Sequence, residues 1–104
     1  MYKIAVMGGA DTVLGFKALG LDTYPVSDDE EARRVFSRLT AREARCAIIY
    51  IEERLSQVLA SEIEKYNDKP VPAIILIPGR DGSMGLGLKA LHDAVIRAVG
   101  TDIL

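Results

Sequence analysis

Cys46-Ala47-Ile48-Ile49-Tyr50-Ile51 is the stretch that decides the fold. Its six residues are apolar without alternation, and four of them are β-branched or aromatic. A strand covered on only one face would alternate apolar and polar residues. An unbroken run is expected of a central strand in a parallel sheet with helices packed on both sides. Such a sheet needs crossover connections, and the sequence on either side of the run supplies them. Upstream, Lys3-Ile4-Ala5-Val6-Met7 is a second short apolar run, stopped by Gly8-Gly9. Downstream, Val71 to Ile77 is a third, closed by Pro78. Leu21 to Val26 reads as a further strand, placed at a sheet edge because Pro25 cannot donate to a ladder.

Helical segments separate these strands. Asp11-Thr12 is expected to cap a helix through Val13, Phe16 and Leu19, with Gly20 ending it in the left-handed conformation. Ser27 and Glu30 have the spacing of a capping box, opening a helix whose apolar face is Ala32, Val35, Phe36 and Leu39. Leu55, Val58, Leu59, Ile63 and Tyr66 mark a third helix, broken by Asn67-Asp68-Lys69-Pro70. A last helix carries Leu88, Leu91, Val95, Ala98 and Val99 and stops at Gly100. The expected fold is therefore α/β: a small open four-stranded parallel sheet, order 2-1-3-4, with helices on both faces, receiver- or flavodoxin-like, plus a C-terminal helix. One domain is expected over 1–104, divided into a core at 1–78, a glycine-rich loop at 79–87, and a helix and tail at 88–104.

Composition narrows the function. The 104 residues are 49% hydrophobic and 27% charged, with 13 basic residues against 15 acidic and a net charge of −2. That balance speaks against binding nucleic acid through an overall basic charge. The single cysteine, Cys46, can form no internal disulfide and reads as a small core residue. No apolar run approaches the roughly 20 residues of a membrane-spanning helix, and Met1-Tyr2-Lys3-Ile4 opens no secretory signal. A soluble intracellular protein is expected.

Ligands of doubly wound sheets bind beyond the C-terminal strand ends, so chemistry should show in those loops. A receiver domain needs acidic residues after its first strand and an aspartate nucleophile after its third. Here those positions read Met7-Gly8-Gly9 and Ile51-Glu52-Glu53, so Glu52 could only mimic the acceptor. Gly8-Gly9-Ala10-Asp11-Thr12 and Gly82-Ser83-Met84-Gly85-Leu86-Gly87 fit neither a dinucleotide fingerprint nor a P-loop. Gly85 and Gly87 read as permitting a tight connection. His92 has no second histidine with which to hold a metal, and reads as a half-buried structural residue. Arg34, Arg38, Arg42 and Arg45 fall along one helical row. They read as a solvated face compensated by Asp28 to Glu31, or alternatively as a docking face for an acidic partner. No catalytic, cofactor or metal site is expected.

Gly8-Gly9-Ala10-Asp11-Thr12-Val13-Leu14-Gly15-Phe16-Lys17-Ala18-Leu19-Gly20 resembles the G-D-x-D-T-V-x-G-F-x-L-x-G signature of the F subunit of the V/A-type rotary ATPases. Ala73-Ile74-Ile75-Leu76-Ile77-Pro78, the glycine-rich loop and Ala94 to Leu104 are similar to the second half of that family. Gly9-Ala10 departs from the Gly-Asp often found there. The resemblance implies a non-catalytic protein that binds the coiled-coil D subunit in the central rotor shaft, inside the ring of catalytic A and B subunits, and tunes their ATP hydrolysis or synthesis. It implies a cytoplasmic location peripheral to the membrane, with no nucleic acid, no cofactor and no membrane insertion. A stand-alone receiver-like regulatory domain is the alternative. Met84 and Leu86, apolar residues in a segment expected to be flexible and to order against the shaft, are expected partner contacts. So are Ile103 and Leu104, in a tail that the resemblance suggests can reach toward the catalytic ring.

Overall fold

Residues 2–79 and 92–97 are described by the structure, a computed structural model. In chain order they form β1 (Lys3–Gly8), α1 (Ala10–Lys17), β2 (Asp22–Pro25), α2 (Asp29–Thr40), β3 (Cys46–Glu52), α3 (Ala60–Glu64) and β4 (Ala73–Ile77). Residues 92–97 are a further helical stretch, α4. All strand pairs are parallel and the order is β2-β1-β3-β4, as the sequence predicts. Every residue of β3 is buried.

The two faces of the sheet carry separate cores. Val13 and Phe16 of α1, with Val95 and Ile96 of α4, pack on Val6, Ile48 and Tyr50. Ala32, Phe36 and Leu39 of α2, with Leu55 and Leu59, pack on Ala5, Met7, Ile49 and Ile51 on the other side. The register of β1 against β3 shifts between Lys3, opposite Cys46, and Ile4, opposite Ile48. This bulge leaves Ala47 without a β1 partner, which is why Ala47 and Ile48 both join the α1-side core despite being consecutive.

Several local expectations are corrected. The helix α1 begins at Ala10, with Gly9 as its N-cap and no capping side chain. Asp11 lies in the first turn, where its charge suits the helix dipole, and Thr12 is buried. In α2 the N-cap is Asp28 rather than Ser27: its side chain accepts the Glu31 N–H at 2.8 Å. Glu31, and not Glu30, reaches back, its Oε1 accepting the Ser27 N–H at 2.8 Å. The frame moves by one residue because the Val26 N–H is still held by the Gly8 carbonyl, so the chain stays extended through Asp28.

The third helix is reduced to Ala60–Glu64, preceded by a 3₁₀ turn at Glu53–Leu55. Leu55 and Leu59 are nonetheless fully buried. Packing requires apolar side chains three and four residues apart, and a chain of turns meets that requirement without a continuous hydrogen-bond ladder. At the edge of the sheet, β4 is less covered than its sequence suggests, and Leu76 is 46% exposed.

Candidate functional site

The C-terminal strand ends, where such a sheet would hold a ligand, converge on one side chain. Glu52 closes β3 and is 5% exposed. Its Oε1 accepts the Gly9 N–H at 2.7 Å and its Oε2 accepts the Arg54 Nε–H at 2.9 Å. Arg54 leaves the 3₁₀ turn and is half exposed, so it closes the outer side of the carboxylate. Two glycines give the carboxylate its room. A Cβ added at Gly8, the last residue of β1, would stand 2.8 Å from Glu52 Cβ and Oε1. One added at Gly79, just beyond β4, would stand 2.7 Å from Glu52 Oε2.

Among the described residues a carboxylate–guanidinium pair thus occupies the space between the ends of β1, β3 and β4. Both carboxylate oxygens are engaged, one by a backbone N–H and one by a charged donor, an arrangement that fixes the group rather than exposing it for attack. Among the described residues no group of three or more His, Cys, Asp or Glu side chains is placed to hold a metal ion. The sequence contains the elements of this arrangement: an acid ending the most apolar strand, and glycines ending the strands beside it. Their joint meaning was not legible there: the predicted order puts β1 and β4 beside β3, but the register that sets Gly8 and Gly79 against the Glu52 side chain is decided by the fold.

The other residues singled out by the sequence fall as follows. Cys46 is 4% exposed, and burial pushes its thiol up. His92 is half-buried in α4, with Nδ1 at 3.2 Å from the Tyr50 hydroxyl and its ring nearly perpendicular to that of Phe16. The Phe16 and Tyr50 rings stack at 5.4 Å. Burial, and secondarily Asp93, pushes the Tyr50 phenol up to about 12. The arginines do not form a single helical row, because α2 ends at Thr40. Arg42 belongs to a 3₁₀ turn, Arg42–Ala44, and Arg45 follows with a left-handed backbone, φ 53°. Met84, Leu86, Ile103 and Leu104 lie outside the described residues.

The profile of the ATP synthase (F/14-kDa) subunit family matches this chain over residues 4–95. The chain belongs to that family. Within it, the F subunit of the V-type ATP synthase of Clostridium perfringens is 42% identical over 105 residues, spanning 100% of this chain and 98% of the relative. The F subunit of the A-type ATP synthase of Thermococcus kodakarensis is 37% identical over 106 residues, spanning 97% of each. The crystal structure of the V-type ATP synthase F subunit from Archaeoglobus fulgidus shares the fold, with a TM-score of 0.58 over 73% of this chain and 96% of that one, at 23% identity. In this member of the ATP synthase F-subunit family, the signature divides between core and surface. Thr12, Val13 and Phe16 are buried, whereas Leu14 is 65% exposed and Gly15 faces open space.

Proposed function

We propose that this chain is a non-catalytic central-stalk component of a V/A-type ATP synthase. It binds the coiled-coil D subunit and modulates ATP hydrolysis or synthesis on the catalytic A and B subunits, coupled to proton or sodium transport. The observation that carries the reading is the match of residues 4–95 to the ATP synthase F-subunit family, with V-type and A-type F subunits aligned along nearly the whole chain. The Glu52 carboxylate, 5% exposed and held by the Gly9 N–H and by Arg54, reads as a structural group and supports a binding role over a catalytic one. No helix among the described residues is long and apolar enough to cross a membrane, which suits a cytoplasmic position peripheral to it. On sequence grounds Met84, Leu86, Ile103 and Leu104 are contacts with the shaft or the ring.

Co-expression of the tagged chain with the A, B and D subunits of the same ATP synthase tests the proposal. The D subunit should be retained with the chain in constant proportion, and adding the chain to the remaining subunits should change their ATPase rate. A chain that elutes alone and leaves the rate unaltered overturns the reading. Acetyl phosphate with Mg²⁺ should leave Glu52 unmodified by mass spectrometry. A phosphoryl adduct there would support the receiver-like alternative instead.

A further inference from the structure

At the opposite end of the sheet, where the strands begin, two adjoining hollows of about 350 Å³ each share Leu39 and Ala41 as a common wall. Five cations among the described residues line them: Lys3 and Arg38 in the first, and Arg42, Arg45 and Lys69 in the second. Glu43 is the one described carboxylate in either lining. Tyr24 stands in the first hollow, and Tyr2 and Tyr66 in the second. Lys3 is partly engaged, donating to the Tyr24 hydroxyl at 3.3 Å and lying 3.7 Å from Asp22, and Lys69 lies over the Tyr66 ring. Arg38, Arg42 and Arg45 are exposed and form no ion pair among the described residues. None of the acids expected to compensate them, Asp28 to Glu31, forms an ion pair with them among the described residues; Asp28 caps α2 and Glu31 is held by Ser27.

We propose that this cationic face docks a carboxylate-rich helical segment of another polypeptide. The proposal rests on the reading of the chain as a partner-binding protein, and it names the surface and the partner's chemistry. The cations are spread over two neighbouring hollows rather than gathered in one. That suits a row of carboxylates along a helix better than a single phosphate. The C-terminal end of α2, whose dipole disfavours anions, also lies here, so only side chains can attract the negative charge. Guanidinium groups pair with carboxylates through two parallel hydrogen bonds, and Arg and Tyr are the residue types that anchor protein interfaces. A net charge of −2 with acids elsewhere on the surface disfavours a nucleic acid as occupant.

Arg45 is the most informative position. It adopts φ 53°, a conformation glycine takes more cheaply, while its carbonyl accepts the Lys3 N–H at 2.8 Å and its side chain remains outside. Local structure alone would favour glycine there, and a role for the guanidinium in binding accounts for an arginine.

The test uses the complex of the full chain with its ATP synthase partners. Carbodiimide coupling should join Lys3 or Lys69 to Asp or Glu side chains of another polypeptide, located by mass spectrometry. Arg45→Gly should leave the thermal unfolding midpoint unchanged or raised, yet weaken assembly by about 10-fold, the loss of one charge-paired contact. The double reversal Arg42→Glu/Arg45→Glu should weaken it by about 100-fold and remove most of its salt dependence. Assembly of both variants with unchanged affinity overturns the docking proposal alone, leaving the functional reading intact. A wild-type chain that enters no complex overturns both. Salt-sensitive binding of an RNA or DNA oligonucleotide, abolished by the same reversals, would assign the face to a nucleic acid and also overturn the proposal.

Discussion

Glu52 gives the clearest residue-scale tests. The atoms that would crowd a side chain at Gly79 all belong to Glu52, and the Gly79 backbone has no positive φ. Gly79→Ala should therefore destabilise the chain by about 1–3 kcal/mol, but cost little once Glu52→Ala has removed the obstruction. Urea denaturation of the two single variants and the double variant measures the coupling, and equal costs for Gly79→Ala in both backgrounds would show that Glu52 is not the constraint. Tyr50 supplies a pH dependence. Its phenol is fully buried and its folded value, about 12, lies above the usual 10, so the native state holds the proton that the unfolded chain releases first. The associated stability is complete below about pH 10 and is lost as pH rises toward 12, amounting to about 1.4 kcal/mol by pH 11. Tyr50→Phe should lose correspondingly less stability between pH 8 and pH 11, a difference read from denaturation midpoints at the two values.

Among the elements, α2 and α1 show how far local rules reach. Asp28→Ala should destabilise α2 by about 1 kcal/mol, whereas Glu30→Ala should leave the melting temperature nearly unchanged, because Asp28 and not Ser27 holds the Glu31 N–H. The reverse ranking would restore the frame expected from the sequence. In α1, Gly15 lies in a helix interior with ordinary φ and nothing near the position of its missing Cβ. Gly15→Ala should therefore stabilise the isolated chain by about 0.5–1 kcal/mol in thermal or urea unfolding. Gly20, by contrast, has φ +86° at the end of the same helix, where a side chain is strained whatever space surrounds it.

At the scale of the whole molecule, α2 carries a separation of charge from one end of the sheet toward the other among the described residues. Acids crowd the first turn of α2, and arginines without an ion partner among the described residues crowd its last turn and the residues after it. Among the described residues the two ends are correspondingly distinct, one holding the Glu52–Arg54 pair and the other the cationic hollows. Ile103 and Leu104 add a prediction at this scale. Burying each at an interface would contribute roughly 1.5–3 kcal/mol before ordering costs, enough to bias a two-state rotor. Deleting residues 100–104 should leave the melting temperature of the isolated chain nearly unchanged while altering ATPase turnover of the reconstituted complex. A large fall in melting temperature would instead make the tail part of the core.

What the sequence determined by itself was the architecture. The unbroken apolar run at Cys46–Ile51 pointed to a doubly covered strand, Pro25 sends its strand to an edge, and strand–helix alternation leaves few parallel topologies. These features depend on neighbours along the chain, and such neighbours are written in order. The tertiary structure alone decided the rest. Whether Ser27 or Asp28 caps α2 depended on the Val26 N–H being tied to Gly8, and whether residues 53–66 wound into one helix depended on where the sheet received Leu55 and Leu59. The meeting of Gly8, Glu52 and Gly79, and of Lys3 with Arg38, Arg42, Arg45 and Lys69, joins residues far apart in sequence. Periodicity carries no signal for such meetings, because a side chain's distant neighbours are set by strand order and register and not by its own spacing.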